Sequence, residues 1–210
     1  MENIRTYLDA IMCLLWIMTY TLVLIGTVRY KQPLISSVTQ LLIAPFEFAM
    51  WLGIIIADGF STHYVTVAYT YWTIIEIAII YVVLKTGNTP LKHKVFYLIA
   101  VCILTCIMYY LANVKEWAFF FSYFNTFVGE IFWFVHFCKK DYPLKPITLA
   151  IFVTKFIGDA ISIPVYFGSG IWIISMISVL LPVLDFLFVL AYIKRSLTVG
   201  RNNNDKISNG

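Results

Sequence analysis

The chain has 210 residues, of which 61% are hydrophobic and only 12% are charged. A soluble globular domain carries about 25% charged residues, so this composition excludes a protein whose surface faces mainly water. The formal net charge of +4 comes from basic residues in the connections between apolar runs, a pattern that indicates membrane topology rather than nucleic-acid binding.

Apolar runs separated by charged or Gly- and Pro-containing segments predict seven membrane-spanning helices. A hydrocarbon core about 30 Å thick needs about 20 apolar residues per span, which the chain can supply about seven times with short connections. The predicted spans are 7–28, 33–56, 64–85, 95–113, 117–138, 146–167 and 171–194. We therefore expect one all-α membrane domain over residues 1–197, a seven-transmembrane-helix bundle, followed by a disordered cytoplasmic tail over 198–210.

The basic residues lie mainly on one side of the predicted bundle, and short basic connections are retained in the cytoplasm. The opposite side has Arg5 and Lys115. The basic side holds Arg29, Lys31, Lys85, Lys92, Lys94, Lys139, Lys140, Lys145, Lys194, Arg195, Arg201 and Lys206. This distribution predicts the N-terminus outside and the C-terminus in the cytoplasm, and it leaves the oligomeric state open.

Six ionisable residues lie within about one helical turn of the centre of a predicted span. They are Glu47, Glu76, Glu130, Lys155, Asp159 and Asp185. A charged side chain at a helix centre costs about 2.5–3.5 kcal/mol on insertion scales, so we expect each to face the bundle interior with a partner or a bound proton. Together they predict a functional cavity inside the bundle.

These six residues divide by the partners that the sequence offers them. Lys155 and Asp159 are four residues apart on one helix face and are predicted to form a structural ion pair. Glu47 and Asp185 follow Pro45 and Pro182, and neither has an obvious local cation. A carboxyl group buried in an apolar medium can stay neutral and donate a proton, which makes Glu47 and Asp185 candidate proton donors. The role of Glu130 stays open.

Aromatic residues make up 18% of the chain and accompany the predicted acids on their helix faces. The usual role of such side chains is packing and lipid contact. The alternative is a substrate-binding cavity whose ring faces stabilise a developing cation, each contact contributing about 2 kcal/mol when desolvated. The candidates for this second role are Phe46, Trp51, Tyr69, Trp72 and Phe188.

Several motifs of other enzyme classes are absent from the sequence. It has no Asp-rich magnesium cluster, no Walker A loop, no HExxH and no nucleophile elbow. This argues against diphosphate ionisation, nucleotide hydrolysis and zinc proteolysis. We expect no metal and no cofactor.

Four segments in chain order resemble the small seven-helix membrane terpene cyclases, which include fungal meroterpenoid and indole-diterpene cyclases and bacterial relatives. The segments are PLISSVTQLLIAPFEF, YWTIIEIAIIYVVLKTG, PLKPITLAIFVTKFIG and PVLDFLFVLAYIKRS. The resemblance places the acids of that family on Glu47, Glu76 and Asp185. This chain departs from the family pattern at Ile43 and Phe46, where the family commonly has Asn and Trp, and in having Glu76 instead of an aspartate.

The resemblance implies a class II type cyclisation, in which an acid protonates an epoxide or terminal olefin of a prenyl chain. It implies that Glu47 and Asp185 are the catalytic acids. From this resemblance and the midspan positions of the carboxyl groups, we expect Glu47 to be the Brønsted acid, Asp185 to orient it or share its proton, and Glu76 to complete the carboxyl network. The substrate would be a lipophilic prenylated small molecule that enters from the lipid bilayer.

Two other functions remain open on the sequence alone. The same acids could bind protons or a cationic substrate in a small proton-coupled transporter. They could also be structural in a noncatalytic lipid-binding protein, in which case carboxyl substitutions would lower stability without a separable activity.

Overall fold

A computed structural model of the chain contains seven α-helices and no β-strand among the residues that it describes. It describes the backbone of residues 2–59, 63–86, 90–112, 115–166 and 172–208, and their side chains except those of 2–3, 58, 86, 112, 115–123 and 199–208. The helices are α1 (Glu2–Tyr30), α2 (Ser37–Asp58), α3 (Tyr64–Thr86), α4 (Leu91–Ala112), α5 (Lys115–Phe137), α6 (Pro146–Tyr166) and α7 (Trp172–Ser208). The predicted all-α fold class is confirmed, and each predicted span falls largely on one helix.

Six of the seven helices are long and apolar enough to cross a membrane, which supports the prediction of a multi-pass membrane protein. The exception is α5, whose side chains are described only from residue 124 onward. Large apolar side chains such as Ile56, Phe96 and Leu197 face outward. Lipid contact suits such a surface, because the backbone polar groups are already hydrogen-bonded within the helices.

Helix α7 is longer than the predicted span 171–194. Its backbone is helical to Ser208 and therefore through most of the segment that the sequence predicts as a disordered tail. The side chains of residues 199–210 lie outside the described part of the chain. Disorder of this tail in solution stays a prediction.

Six helices form a closed ring of contacts, in the order α1, α6, α7, α5, α2, α3 and back to α1. Helix α4 packs outside this ring against α2 and α5. The burial along the helices agrees with this arrangement, since only 11% of the α4 span is buried, compared with 39% of the α2, α3, α6 and α7 spans. The ring encloses the interior in which the ionisable side chains lie.

The two ends of the ring differ in packing. At the end where α2 and α6 begin, Trp133, Phe137, Phe152 and Phe188 form an aromatic core, with ring centroids of neighbouring pairs 4.6–6.0 Å apart. The Leu34 carbonyl oxygen is anchored there, because it accepts hydrogen bonds from the Trp133 indole at 2.7 Å and from the Tyr142 hydroxyl. The opposite end contains a cavity.

Helices α1 and α6 approach closely at Gly158. A Cβ atom at this position would lie 2.7 Å from Trp16 Cδ1 and 2.9 Å from Trp16 Nε1. Glycine is therefore required at position 158, because the indole ring of Trp16 occupies the space that a larger side chain would need. By contrast, a Cβ atom at Gly53 on α2 would meet nothing within 4 Å.

Replacing Gly158 by alanine is expected to lower the thermal stability of the protein, because overpacking costs about 1–3 kcal/mol. The matched change Gly53→Ala should be neutral or stabilising, since alanine favours a helix by about 0.5–1 kcal/mol over glycine. Thermal unfolding in detergent measures both. Equal midpoints for the two variants would contradict the close approach of α1 and α6.

Candidate functional site

A cavity of about 560 Å³ opens at the end of the bundle where α1 begins. This volume lies within the range of about 300–1,000 Å³ that is usual for small-molecule sites. Its walls come from five helices, α1, α2, α3, α5 and α6. They include Arg5, Asp9, Met12, Cys13, Trp16, Phe46, Met50, Tyr64, Tyr69, Trp72, Thr126 and Tyr166.

Aromatic side chains form the deep wall of the cavity. The Trp72 ring centroid lies 6.0 Å from that of Trp16 and 5.0 Å from that of Tyr69, with the latter pair edge to face. These rings are held by packing, because Trp72 is buried in a cluster with Met12 and Cys13 of α1. A ring wall fixed in this way offers π faces to whatever occupies the cavity.

Glu47 lies at the base of this wall. Below the main cavity is a smaller space of about 20 Å³ that Glu47 lines. Trp16, Phe46, Tyr69 and Trp72 line both spaces, so the small one continues the large one inward. The Glu47 side chain is 5% exposed, and its Oε2 atom has no hydrogen-bond partner among the described residues.

Glu76 of α3 is the second carboxyl group of this region. It is completely buried, it is close enough to Glu47 for the two carboxyl groups to interact electrostatically, and the Gln40 amide of α2 lies beside it. Two neighbouring buried carboxyl groups cannot both ionise without strong repulsion. The pair can therefore hold a proton inside the bundle.

Lys155 of α6 lies at the centre of a second group of charges, which we call the Lys155 cluster: Lys155, Glu130, Asp159 and Asp185. Its Nζ atom contacts Glu130 of α5, lies 2.5 Å from Asp159 Oδ2, and lies 3.3 Å from Asp185 Oδ1 of α7. All four side chains are buried. The cluster therefore ties three neighbouring helices of the ring together through one ammonium group.

The three acids of the Lys155 cluster also have the spacing of a metal site. Their ligand oxygens lie within 4.8 Å of one another. The Lys155 ammonium group already supplies a cation there, and it would repel a second one. We therefore interpret these residues as an ion-pair network.

No model of a known protein family, no curated protein and no solved structure matches the chain. The resemblance to the seven-helix cyclases therefore rests on the four quoted segments. Since one fold can host many activities, function must be inferred from the site itself.

The structure brings some predicted site residues to the cavity and places others elsewhere. Phe46, Tyr69 and Trp72 line both the cavity and the smaller space beneath it, whereas Glu47 lines the smaller space only. Glu76 is buried and is close enough to Glu47 for their charges to repel each other.

Three predicted residues lie elsewhere. Trp51 is not among the lining residues, and its indole N–H donates to the Thr70 hydroxyl at 3.1 Å. Phe188 belongs to the aromatic core. Asp185 contacts Lys155 in the Lys155 cluster.

Two residues near the site, Tyr20 and Trp16, are not predicted by the sequence pattern. Tyr20 of α1 packs against both the aromatic core and the cluster of Met12, Cys13 and Trp72. Trp16 lines both spaces of the cavity. Both residues lie on the inward face of α1. The sequence alone does not identify this face, because it depends on which helices are the neighbours of α1.

Proposed function

We propose that this protein is an integral membrane terpene cyclase that closes rings in a prenylated substrate after acid attack on a terminal epoxide or double bond. The observation that supports this most strongly is the position of Glu47 at the base of a cavity walled by Trp16, Tyr69 and Trp72. An acid that meets aromatic ring faces suits the generation of a carbocation and its stabilisation.

The proposed reaction conserves protons. The Glu47 carboxyl group transfers its proton to the epoxide oxygen or to the terminal alkene carbon. The next double bond of the folded chain attacks the resulting cation, and the positive charge moves along the chain as rings close. Loss of a proton from the last cation ends the sequence, and reprotonation of Glu47 restores the acid.

Glu76 is the carboxyl partner of Glu47 in this proposal. The two groups are close enough for their charges to repel each other, and neither Glu76 oxygen has a hydrogen-bond partner among the described residues. This repulsion favours a bound proton on Glu47. Asp185 has a structural role in this proposal, because it is bound to Lys155 and helps to hold α5, α6 and α7 together. This differs from the role that the family resemblance implies for Asp185.

The proposed topology has seven membrane spans with the N-terminus outside and the C-terminus in the cytoplasm. The cavity opens at the end where α1 begins, whereas most of the basic residues lie towards the other end. Basic connections are retained in the cytoplasm. The substrate would therefore enter from the noncytoplasmic half of the bilayer.

The proposal is tested by incubating membranes that contain the protein with epoxidised and plain prenylated compounds. We expect a cyclised isomer of the same mass as the substrate but with a different chromatographic retention. Membranes without the protein are the control. Recovery of every candidate substrate unchanged would count against the proposal.

Trp72→Leu is expected to lower the conversion rate about 30-fold, because loss of a desolvated cation–π contact costs about 2 kcal/mol. Leucine keeps an apolar side chain at the position but removes the ring. Trp172→Leu, at an exposed position on α7, is the matched control and should leave the rate unchanged. Equal rates for the two variants would exclude Trp72 from cation stabilisation.

Proton-coupled transport is a second candidate function, and the Lys155 cluster is the observation that favours it. Buried networks of acids and bases serve as proton relays in membrane transporters. Liposomes with an imposed pH gradient distinguish the two functions. A transporter would accumulate a substrate and lose this ability on Asp185→Asn, whereas the proposed cyclase would convert its substrate without any gradient.

A further inference from the structure

The mouth of the cavity carries a group of polar side chains that the proposed acid chemistry does not use. Asp9 of α1 accepts a hydrogen bond from the Tyr64 hydroxyl of α3 at 2.7 Å through Oδ2. It accepts another from the Tyr166 hydroxyl of α6 at 3.2 Å through Oδ1. All three residues line the cavity, together with Arg5, which precedes Asp9 by one turn.

Asp9 keeps unused hydrogen-bonding capacity in this arrangement. Each carboxylate oxygen has two lone-pair positions, and the two tyrosine hydroxyl groups occupy one on each oxygen. The tyrosines fix the carboxylate in place from two other helices. A donor on a ligand could therefore bind Asp9 without displacing either tyrosine, and a hydrogen bond to an ionised acceptor is stronger than a neutral one.

The polarity of the cavity changes with depth. From Asp9 inward along α1, the lining residues are Met12, Cys13 and Trp16, and Glu47 is the acid among the described residues that line the base. Trp16 follows Asp9 by seven positions, which correspond to about 10 Å along the helix at 1.5 Å per residue. The cavity thus combines a polar mouth with an apolar shaft in which a folded prenyl chain can lie.

We propose that the mouth is a headgroup subsite and that the ligand is a prenyl chain ending in an uncharged hydroxyl group, as in a prenyl alcohol or a prenylated phenol. The hydroxyl group donates to Asp9 and accepts from Arg5, and the chain extends to Glu47. A diphosphate head is disfavoured, because it would bring several negative charges to Asp9, with Arg5 as the one cation among the described lining residues. This inference rests on the proposed function in taking the same cavity as the substrate site.

The test compares three ligands on the full-length protein in lipid nanodiscs, by the quenching of tryptophan fluorescence. The ligands are geranylgeraniol, its hydrocarbon analogue without the hydroxyl group, and geranylgeranyl diphosphate. We expect the alcohol to bind about tenfold more tightly than either of the others, the ratio that one charge-assisted hydrogen bond provides. Equal binding of alcohol and hydrocarbon, or tighter binding of the diphosphate, would overturn the proposal.

Asp9→Asn should lower the affinity for the alcohol about tenfold and leave that for the hydrocarbon unchanged. Asp141→Asn, in an exposed connection, is the matched control. A similar loss for both ligands would show that Asp9 only braces the helices, and the subsite would be abandoned. The ligand preference of the unaltered protein decides the proposal even where Asp9→Asn fails to fold.

The experiment separates this subsite from the proposed acid chemistry. Glu47→Gln should keep the preference for the alcohol while losing any conversion, because Glu47 lies at the far end of the cavity. Conversion by a protein that binds alcohol and hydrocarbon equally would keep the cyclase and remove the subsite. A preference for the alcohol without conversion of any candidate would keep the subsite and remove the cyclase.

Discussion

Replacing Glu47 by glutamine is expected to reduce cyclisation by at least about 100-fold, since general acid catalysis contributes about 10²–10⁴ to a rate. The glutamine side chain has nearly the same shape as a neutral glutamic acid but no acidic proton. It therefore fits the space beneath Trp16 and Trp72 without donating to the substrate. The measurement is product formation by membranes with equal amounts of each protein.

The thermal stability of this variant shows whether a loss of activity is due to misfolding. Glu47→Gln should unfold at a temperature close to that of the unaltered protein, because it removes a carboxyl group with no ion-pair partner among the described residues. Asp141→Asn provides an exposed acid-to-amide change for comparison. An unchanged yield from the Glu47 variant would remove Glu47 as the acid.

Replacing Lys155 by methionine is expected to destabilise the protein strongly. Methionine fills a similar length, but it leaves Glu130, Asp159 and Asp185 buried without their shared cation. Removing one partner of a buried ion pair typically costs about 3–5 kcal/mol. For a domain of this size, such a loss lowers the unfolding temperature by about 6–20 °C.

Two further variants establish the cause of this loss. Lys92→Met, at an exposed position on α4, should change the unfolding temperature little. Adding Glu130→Gln and Asp185→Asn to Lys155→Met should recover part of the stability, since two of the three acids left without a cation are then neutral and only Asp159 remains. A triple variant no more stable than Lys155→Met would show that packing rather than charge explains the effect.

The helices and the inward position of the acids could be predicted from the sequence because both follow from local physics. A span of about 20 apolar residues in hydrocarbon must satisfy its backbone hydrogen bonds internally and therefore forms a helix. A charged side chain within it is driven away from lipid. These two rules suffice for the buried positions of Glu47, Glu76 and Asp185.

The partners of those acids could not be predicted in the same way, because they depend on which helices are neighbours. Glu130 had no assigned role in the sequence, yet it contacts Lys155 since α5 and α6 both adjoin α7 in the ring. Asp9 lies at the beginning of the first predicted span, close to the membrane surface, where an acidic residue is common. Its importance arises only from the approach of Tyr64 and Tyr166.

The roles of the aromatic residues could not be predicted from the sequence for the same reason. Trp72 and Phe188 both share a helix face with a buried acid, and the sequence predicts a cavity role for each. Trp72 lines the cavity, whereas Phe188 packs with Phe137 and Phe152 at the other end of the bundle. A helix face is buried equally well against a cavity or against a packed core, so periodicity cannot separate the two.

Reaction with a hydrophobic carbodiimide tests most directly whether Glu47 is a protonated acid that a ligand reaches through the cavity. Dicyclohexylcarbodiimide adds to protonated carboxyl groups in apolar surroundings, and mass spectrometry of the peptides locates the adduct. At neutral pH we predict modification of Glu47 that a bound prenyl compound suppresses, with Asp185 protected by Lys155. Modification of Asp185 with Glu47 left unmodified, or labelling of Glu47 that no prenyl ligand reduces, would contradict the account.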